Sequence, residues 1–348
     1  MTLPTQMSGV VLTGHGGPEM LEFRANLPLP TLGETDVLIR VAAAGVNNTD
    51  VNTRLAWYSK GDAEDDDATW SGKPLEFPRI QGADVCGEIV AIGKAVDADR
   101  IGERILIEPC IRVADGAFQD PAWYFGSECD GGFAQYTRVD ARHAYAVTSD
   151  MTDLELASFP CSYSTAENML TRAKVTEADT VLVTGASGGV GSAAVQLAKA
   201  RGAQVIALTS PSKAATLKSL GAGRCLARDT DLVKELGTNS IDVVVDLVAG
   251  PNWPPLLDVL KSGARYAVAG AIGGPMVELD VRTLYLKDLS FFGCTVLEPE
   301  VFSNLIGRIE RHEIKSLVAD VFALKDINAA QKAFGEKGHT GKIVLSVP

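Results

Sequence analysis

The chain has 348 residues, 46% of them hydrophobic and 22% charged, with a formal net charge of −12. That is apolar material enough for two domains of ordinary size. A negative field of this kind works against nucleic acid and anionic membranes as partners, so a phosphate-bearing ligand needs a local basic or backbone-amide site.

The opening MTLPTQMSGVVLTGHGG has no basic stretch leading into an apolar core, so no secretory signal is expected. No run approaches the ~18 apolar residues of a membrane span. The expectation is a soluble, cytoplasmic protein. Cysteines stand at 86, 110, 129, 161, 225 and 294, with no C-x-x-C pair, and the four histidines (15, 143, 312, 339) lie away from them. No zinc-ligand spacing is readable, and the cysteines read as small buried hydrophobes.

Along the first 150 residues, SGVVLTG, DVLIRVAAAGV, CGEIVAIG, GERILIEPC and FAQYTRVD are short Val- and Ile-rich runs bounded by Gly, Asp or Pro. They predict a compact, partly barrel-like β domain. The run AAAGVNNTD breaks at Gly45 and sets Asn47, Asn48, Thr49 and Asp50 in a row. Asn and Asp there suit a capped turn as well as a polar pocket floor. Between Ser59 and Pro78 the pattern fails, and Asp62, Glu64, Asp65, Asp66 and Asp67 read as a solvated insertion.

From Met151 the texture changes. LELASFPCSYSTAENMLTRA has helical spacing. DTVLVTGA, AQVIALTS, IDVVVDLVAG and ARYAVAGAIGG then read as strands, alternating with the helices VGSAAVQLAKARG, PSKAATLKSLGA and PNWPPLLDVLKSG. Such alternation builds a parallel sheet covered on both faces. LSFFGCTV adds a strand, EVFSNLIGRIERHE a helix and GKIVLSV a closing strand.

The strongest local signal is VLVTGASGGVGSAAVQLAKARG. A strand runs into Gly185, Ala186, Ser187, Gly188, Gly189, Val190 and Gly191, and a helix starts at once. This is the dinucleotide fingerprint with Ala186 in place of its first glycine. Gly188 lets the backbone approach a pyrophosphate, Gly191 lets the helix pack on the strand, and the amides at the helix start hold phosphate. About 20 residues on, where an NAD site places a carboxylate for the ribose hydroxyl, the chain offers Thr209, Ser210, Pro211, Ser212 and Lys213. Hydroxyls and an ammonium suit a 2′-phosphate, so NADPH is the expected cofactor, although Lys213 alone also reads as a solvated lysine.

These segments, together with GETDVLIRVAAAGVNNTD, QGADVCGEIVAIG, GGFAQYTRV, FPCSYSTAENML and HTGKIVLSV, resemble the medium-chain dehydrogenase/reductase superfamily over essentially the whole chain. The likeness is nearest to its zinc-free, quinone oxidoreductase-like branch, which also holds reductases of activated double bonds. The resemblance implies an α/β protein: a GroES-like β-rich catalytic domain (residues 1–150, completed by 311–348) around a Rossmann doubly wound cofactor domain (151–310). It implies a substrate cleft at their junction and frequently a homodimer.

In the zinc alcohol dehydrogenases of this superfamily, Asn47 matches a cysteine ligand and Ala83 a histidine ligand, and only Cys161 keeps a ligating type. Cys110 to Cys129 matches the structural-zinc lobe with two cysteines against four. No metal is therefore expected. Without a Lewis acid, hydride addition to a quinone or an α,β-unsaturated carbonyl is easier to support than alcohol oxidation. Asn47 is expected to donate to the acceptor's oxygen. The resemblance places Thr49 where relatives keep a proton-relay Ser or Thr, and Tyr58 is a second donor. Thr165 matches a position beside the nicotinamide, and Val248, Ala269 and Gly270 lie at strand carboxyl ends. Asp246 reads as structural. A small-molecule acceptor is the expected partner. A metal-dependent alcohol or aldehyde dehydrogenase, and a non-catalytic NADPH-binding protein of the zeta-crystallin type, are the alternatives.

Overall fold

The computed structural model describes residues 3–59 and 74–348, so the acidic 61–68 segment lies outside the described residues. The chain forms two compact units, Met1–Cys161 with Ser316–Pro348, and Ser162–Lys315.

In the first unit, β1 (Gln6–Leu12) pairs antiparallel with β2 (Leu21–Pro28) and with β4 (Arg79–Ile80). Strand β3 (Asp36–Gly45) is the spine of a larger sheet. One of its edges takes β5 (Cys86–Ile92), which continues to β6 (Arg104–Ile107) and β10 (Ala144–Ala146). Its partners elsewhere are β9 (Tyr136–Asp140), against Asp36–Arg40, and the chain's last strand, against Ala43–Gly45. A strand flanked on both sides buries nearly every residue, which is why VLIRVAAAG carries almost no polar alternation.

After β3, α1 (Asn48–Arg54) begins. Strands β7 (Cys110–Ala114) and β8 (Ala117–Tyr124) form a separate two-stranded ribbon. The helical stretch expected from Leu154 divides into α2 (Asp153–Leu156) and α3 (Pro160–Arg172). Proline disfavours helical backbone in the residue before it and is at home at a helix start.

The second unit is built on β11 (Thr180–Val183), β12 (Gln204–Leu208), β13 (Arg224–Leu226), β14 (Ile241–Asp246), β15 (Leu260–Val268) and β16 (Ser290–Gly293), all parallel, in the order 13-12-11-14-15-16. The order reverses between β11 and β14, so their carboxyl ends form the switch point where such sheets take a ligand. Helices α4 (Gly189–Ala200), α5 (Ala214–Ser219), α6 (Leu232–Leu236), α7 (Pro254–Asp258), α8 (Val281–Leu286) and α9 (Val301–Glu310) connect these strands or follow them. The helix expected over PNWPPLLDVLKSG stops at Asp258, and Leu260 already belongs to β15.

The chain then returns to the first unit through β17 (Val318–Ala323), α10 (Ile327–Gly335) and β18 (Lys342–Ser346). Strand β18 lies between β3 and β17 in the large sheet. Its apolar residues Ile343, Val344 and Leu345 are fully buried there.

Candidate functional site

Each unit carries candidate functional residues of its own. In the second, the Gly185–Gly191 turn leaves β11 at the switch point. Serine 187 and Ala186 are buried, and the Ala186 amide donates to the Leu208 carbonyl at 3.2 Å, tying the turn to β12. A side chain at 191 would overlap the Gly185 carbonyl oxygen and the Ala186 backbone, so only glycine lets α4 approach this closely. At Gly188 the nearest atom to such a side chain is the Gly185 oxygen at 3.5 Å, leaving open space before the helix start. There Gly188, Gly189 and Val190 lead into the 12-residue α4, whose first-turn amides have no partner within the helix.

At the end of β12 lies Thr209, 2% exposed, whose hydroxyl is a buried oxygen without a hydrogen-bond partner. Ser210 and Ser212 hydroxyls stand 3.3 Å apart beside it. Burial, then the Arg228 charge, pull the Lys213 ammonium below the usual lysine range. Arg228, just past β13, is thus a second cation here that the sequence reading missed, because β13 is a three-residue strand with little apolar signal. Asp246 ends β14 and accepts from Thr184 Oγ1 (2.5 Å), Tyr266 Oη (2.6 Å) and the Val248 amide (2.9 Å). It shapes the turn that presents Val248. The Ala269 amide donates to the Asp246 carbonyl, and Gly270 packs where a side chain would meet the Leu247 carbonyl at 2.9 Å. Thr165 is half-buried on α3. An open helix start, an orphaned hydroxyl and paired cations at one sheet end fit a phosphate-bearing dinucleotide.

In the first unit, the stretch after β3 is a buried polar cradle. Asn47 caps α1, and its backbone amide donates to Asp50 Oδ2 at 2.7 Å, the returning half of a capping box. The Asn47 side-chain amide donates to Asp84 Oδ2 (2.9 Å) and to the Gly45 carbonyl (3.3 Å), and its oxygen accepts from Lys342 Nζ. Lys342, on β18, also pairs with Asp84 Oδ2 at 2.7 Å and donates to the Val46 carbonyl at 3.0 Å. The other Asp84 oxygen accepts from the Cys161 amide at 2.5 Å. Glycine at 45 is needed for this, since a side chain there would stand 2.5 Å from Asp84 Oδ2. The Asp50 carboxyl is pushed up to about 7, by burial first and the Asp84 charge next among the raising causes.

The expectation that the Asn47 amide meets a substrate oxygen therefore needs correcting. Both of its hydrogens and its oxygen are engaged by the protein, and Asn47 holds α1 in place instead. Thr49 and Tyr58 are brought together, the Tyr58 hydroxyl donating to Thr49 Oγ1 at 3.3 Å, with both residues half-buried.

At the positions matching zinc ligands stand Asn47, Ala83 and Cys161. Ala83, Cys161 and Tyr124 form a small buried cluster of their own, with Tyr124 Oη 3.0 Å from Cys161 Sγ. Burial, then the Asp84 charge, push the Cys161 thiol up to about 12, so it is a neutral thiol at physiological pH. One protonated thiol, a methyl group and a committed amide do not fit a zinc centre, which needs three ligands and an open position. Among the described residues no group of three or more His, Cys, Asp or Glu could hold a metal ion, and no helix is long and apolar enough to cross a membrane.

Two family models match: the alcohol dehydrogenase GroES-like domain over residues 33–149, and the zinc-binding dehydrogenase model over 189–311. A solved protein from Sinorhizobium meliloti 1021, provisionally named an alcohol dehydrogenase, is 44% identical, covers 99% of this chain and 98% of its own, and superposes with a TM-score of 0.93. The chain belongs to the medium-chain dehydrogenase/reductase superfamily. Its GroES-like and Rossmann-type parts are those of that family. Family members bind a nicotinamide cofactor, and this member is an oxidoreductase. It is 28% identical to acryloyl-coenzyme A reductase of Metallosphaera sedula, over 98% of this chain and 100% of the relative. It is likewise 28% identical to human quinone oxidoreductase, over 97% of each.

Proposed function

We propose that this family member is an NADPH-dependent, metal-free reductase of quinones or α,β-unsaturated carbonyls. The observation that carries the reading is the fate of the three ligand positions: Asn47 is bonded into Asp84 and Lys342, Ala83 offers nothing, and the Cys161 thiol is protonated against Tyr124. Alcohol oxidation would need a group that acidifies the hydroxyl, whereas an electron-poor double bond needs only orientation and donors at its oxygen. A bound nicotinamide would supply the hydride. The chain's own part is to hold the acceptor, and the Tyr58–Thr49 pair can pass a proton toward the oxygen on which charge develops.

The NADPH preference rests on Lys213, with the Arg228 charge beside it, and on the lack of an Asp or Glu in Thr209–Lys213 after β12, where a ribose hydroxyl would need one. We further propose a homodimer. Strand β16 is a sheet edge carrying Phe291, and Met276, Leu286 and Val281 are exposed on the same unit, the kind of edge that a second copy would cover.

The test is an acceptor panel of benzoquinone, cyclohex-2-enone and secondary alcohols, run with NADPH and NADH in parallel. Steady NADPH consumption with an enone or quinone is expected, with kcat/KM for NADPH at least tenfold above NADH. The Lys213→Ala/Arg228→Ala double variant is expected to lose that preference. Alcohol oxidation without enone reduction would support the reading suggested by the Sinorhizobium relative's name, and NADPH binding without turnover a non-catalytic role.

A further inference from the structure

We propose that the Tyr124 hydroxyl is the hydrogen-bond donor that receives the acceptor's carbonyl oxygen, taking the place a metal ion holds in zinc-bearing relatives. This deepens the reading above and rests on it for the identity of the acceptor.

Tyr124 is the last residue of β8, and its backbone is fixed on both sides. Its amide donates to Glu128 Oε2 at 2.8 Å, and its carbonyl accepts from the Ser127 and Glu128 amides at 3.0 and 3.2 Å. Cys161 is fixed as firmly by the 2.5 Å bond from its amide to Asp84. The phenol is therefore delivered to a defined point, 3.0 Å from the Cys161 sulfur and packed on Ala83. That point is bounded by two of the three residues at metal-ligand positions, and Asn47, the third, is joined to Cys161 through Asp84. Ala83 presents only a methyl group to this cluster.

A packing role alone asks only for the ring, and phenylalanine would serve it. The hydroxyl adds a directional O–H in a water-poor setting, where a donor aimed at developing charge is worth far more than in water. A thiol is a weak hydrogen-bond partner, so a carbonyl oxygen arriving there is the better acceptor. Burial, then the nearby thiol, raises the Tyr124 phenol well above its ordinary range, so it stays protonated and keeps its hydrogen across neutral pH. Tyr124 and Cys161 are both buried, each 7% exposed.

The step balances without proton loss from Tyr124. Hydride adds at the β-carbon, the double-bond pair shifts to make an enolate, and its oxygen is held by the Tyr124 O–H. A proton taken up from solvent, directly or through Tyr58 and Thr49, completes the saturated ketone.

The test compares wild type, Tyr124→Phe and Tyr58→Phe with cyclohex-2-enone and NADPH, and records the infrared carbonyl band of ¹³C-labelled cyclohexanone bound with NADP⁺. For Tyr124→Phe, kcat is expected to fall about 10²-fold or more, with KM for NADPH and the melting temperature unchanged. The bound carbonyl band is expected at lower frequency than in water for wild type and Tyr58→Phe, but not for Tyr124→Phe. A kcat within about twofold of wild type, or a band unmoved by Tyr124→Phe, overturns the proposal. If wild type reduces no enone, the reductase reading fails separately, and the band in wild type against Tyr124→Phe still decides the donor.

Discussion

The Gly185–Gly191 turn and the Gly45–Arg54 stretch both begin where a buried strand ends in glycine-rich or polar sequence, yet they work in opposite ways. The first acts through its backbone: close packing at Gly191, open space at Gly188 and the amides of a helix start. The second acts through side chains whose partners lie far off in the chain, Asp84 at 37 residues from Asn47 and Lys342 at 295. A backbone device writes its requirement locally, as glycine at fixed spacing. A side-chain cradle does not, because any one of its members looks ordinary until the fold brings the others to it.

The sharpest way to break this contrast is at Lys342. Replacing it by methionine removes the cation that pairs with the fully buried Asp84, at an expected cost of about 3–5 kcal/mol in urea unfolding. Adding Asp84→Asn to Lys342→Met is expected to recover part of that loss, and a double variant as unstable as the single would count against a coupled pair. The backbone device gives a graded pair of tests. Gly191→Ala must push the turn off α4 and is expected to cost about 1–3 kcal/mol. Gly188→Ala is expected to leave stability within about 0.5 kcal/mol while weakening NADPH binding at least tenfold, measured by calorimetry. Equal destabilisation by the two would show that the open space at Gly188 is not there.

A further expected effect lies in pH. The Asp50 carboxyl is held near 7 in the folded chain against an ordinary value of 3.8. Between those values the folded state binds the extra proton, so this residue's contribution to stability falls as pH rises from about 4 to 7 and is level above. Asp50→Asn removes that contribution. Its stability relative to wild type is therefore expected to climb over the same window and then stop climbing, and a flat difference would place the Asp50 titration elsewhere.

The same contrast explains what the sequence could tell. Most of the six-stranded sheet was readable because β11, β12 and β14 are dense runs of Val, Ile, Leu and Ala, whereas the three-residue β13 gave no such run. Strand β17 escaped because most of VADVFA is exposed or half-buried and shows no clean alternation, and α6 and α8 are too short to display a period. In the cradle, Asn47, Thr49 and Tyr58 were singled out from one local stretch, and the same stretch misled about Asn47, whose amide is spent inside the protein. Lys342, Asp84 and Tyr124 gave no signal: a Lys opening a β-strand, an Asp in a glycine-rich segment and a Tyr ending a ribbon are common. Of the second unit's phosphate-side residues, Lys213 was found by counting from the glycines, whereas Arg228 needed the neighbouring strand to be seen first.

A reductase site that works without metal is the central claim. The direct measurement is enone or quinone reduction by NADPH before and after dialysis against a strong chelator, with zinc content determined on the same samples. We predict unchanged turnover at zinc content far below one ion per chain. Turnover that disappears with the chelator and returns on adding zinc, at one ion per chain, would contradict it.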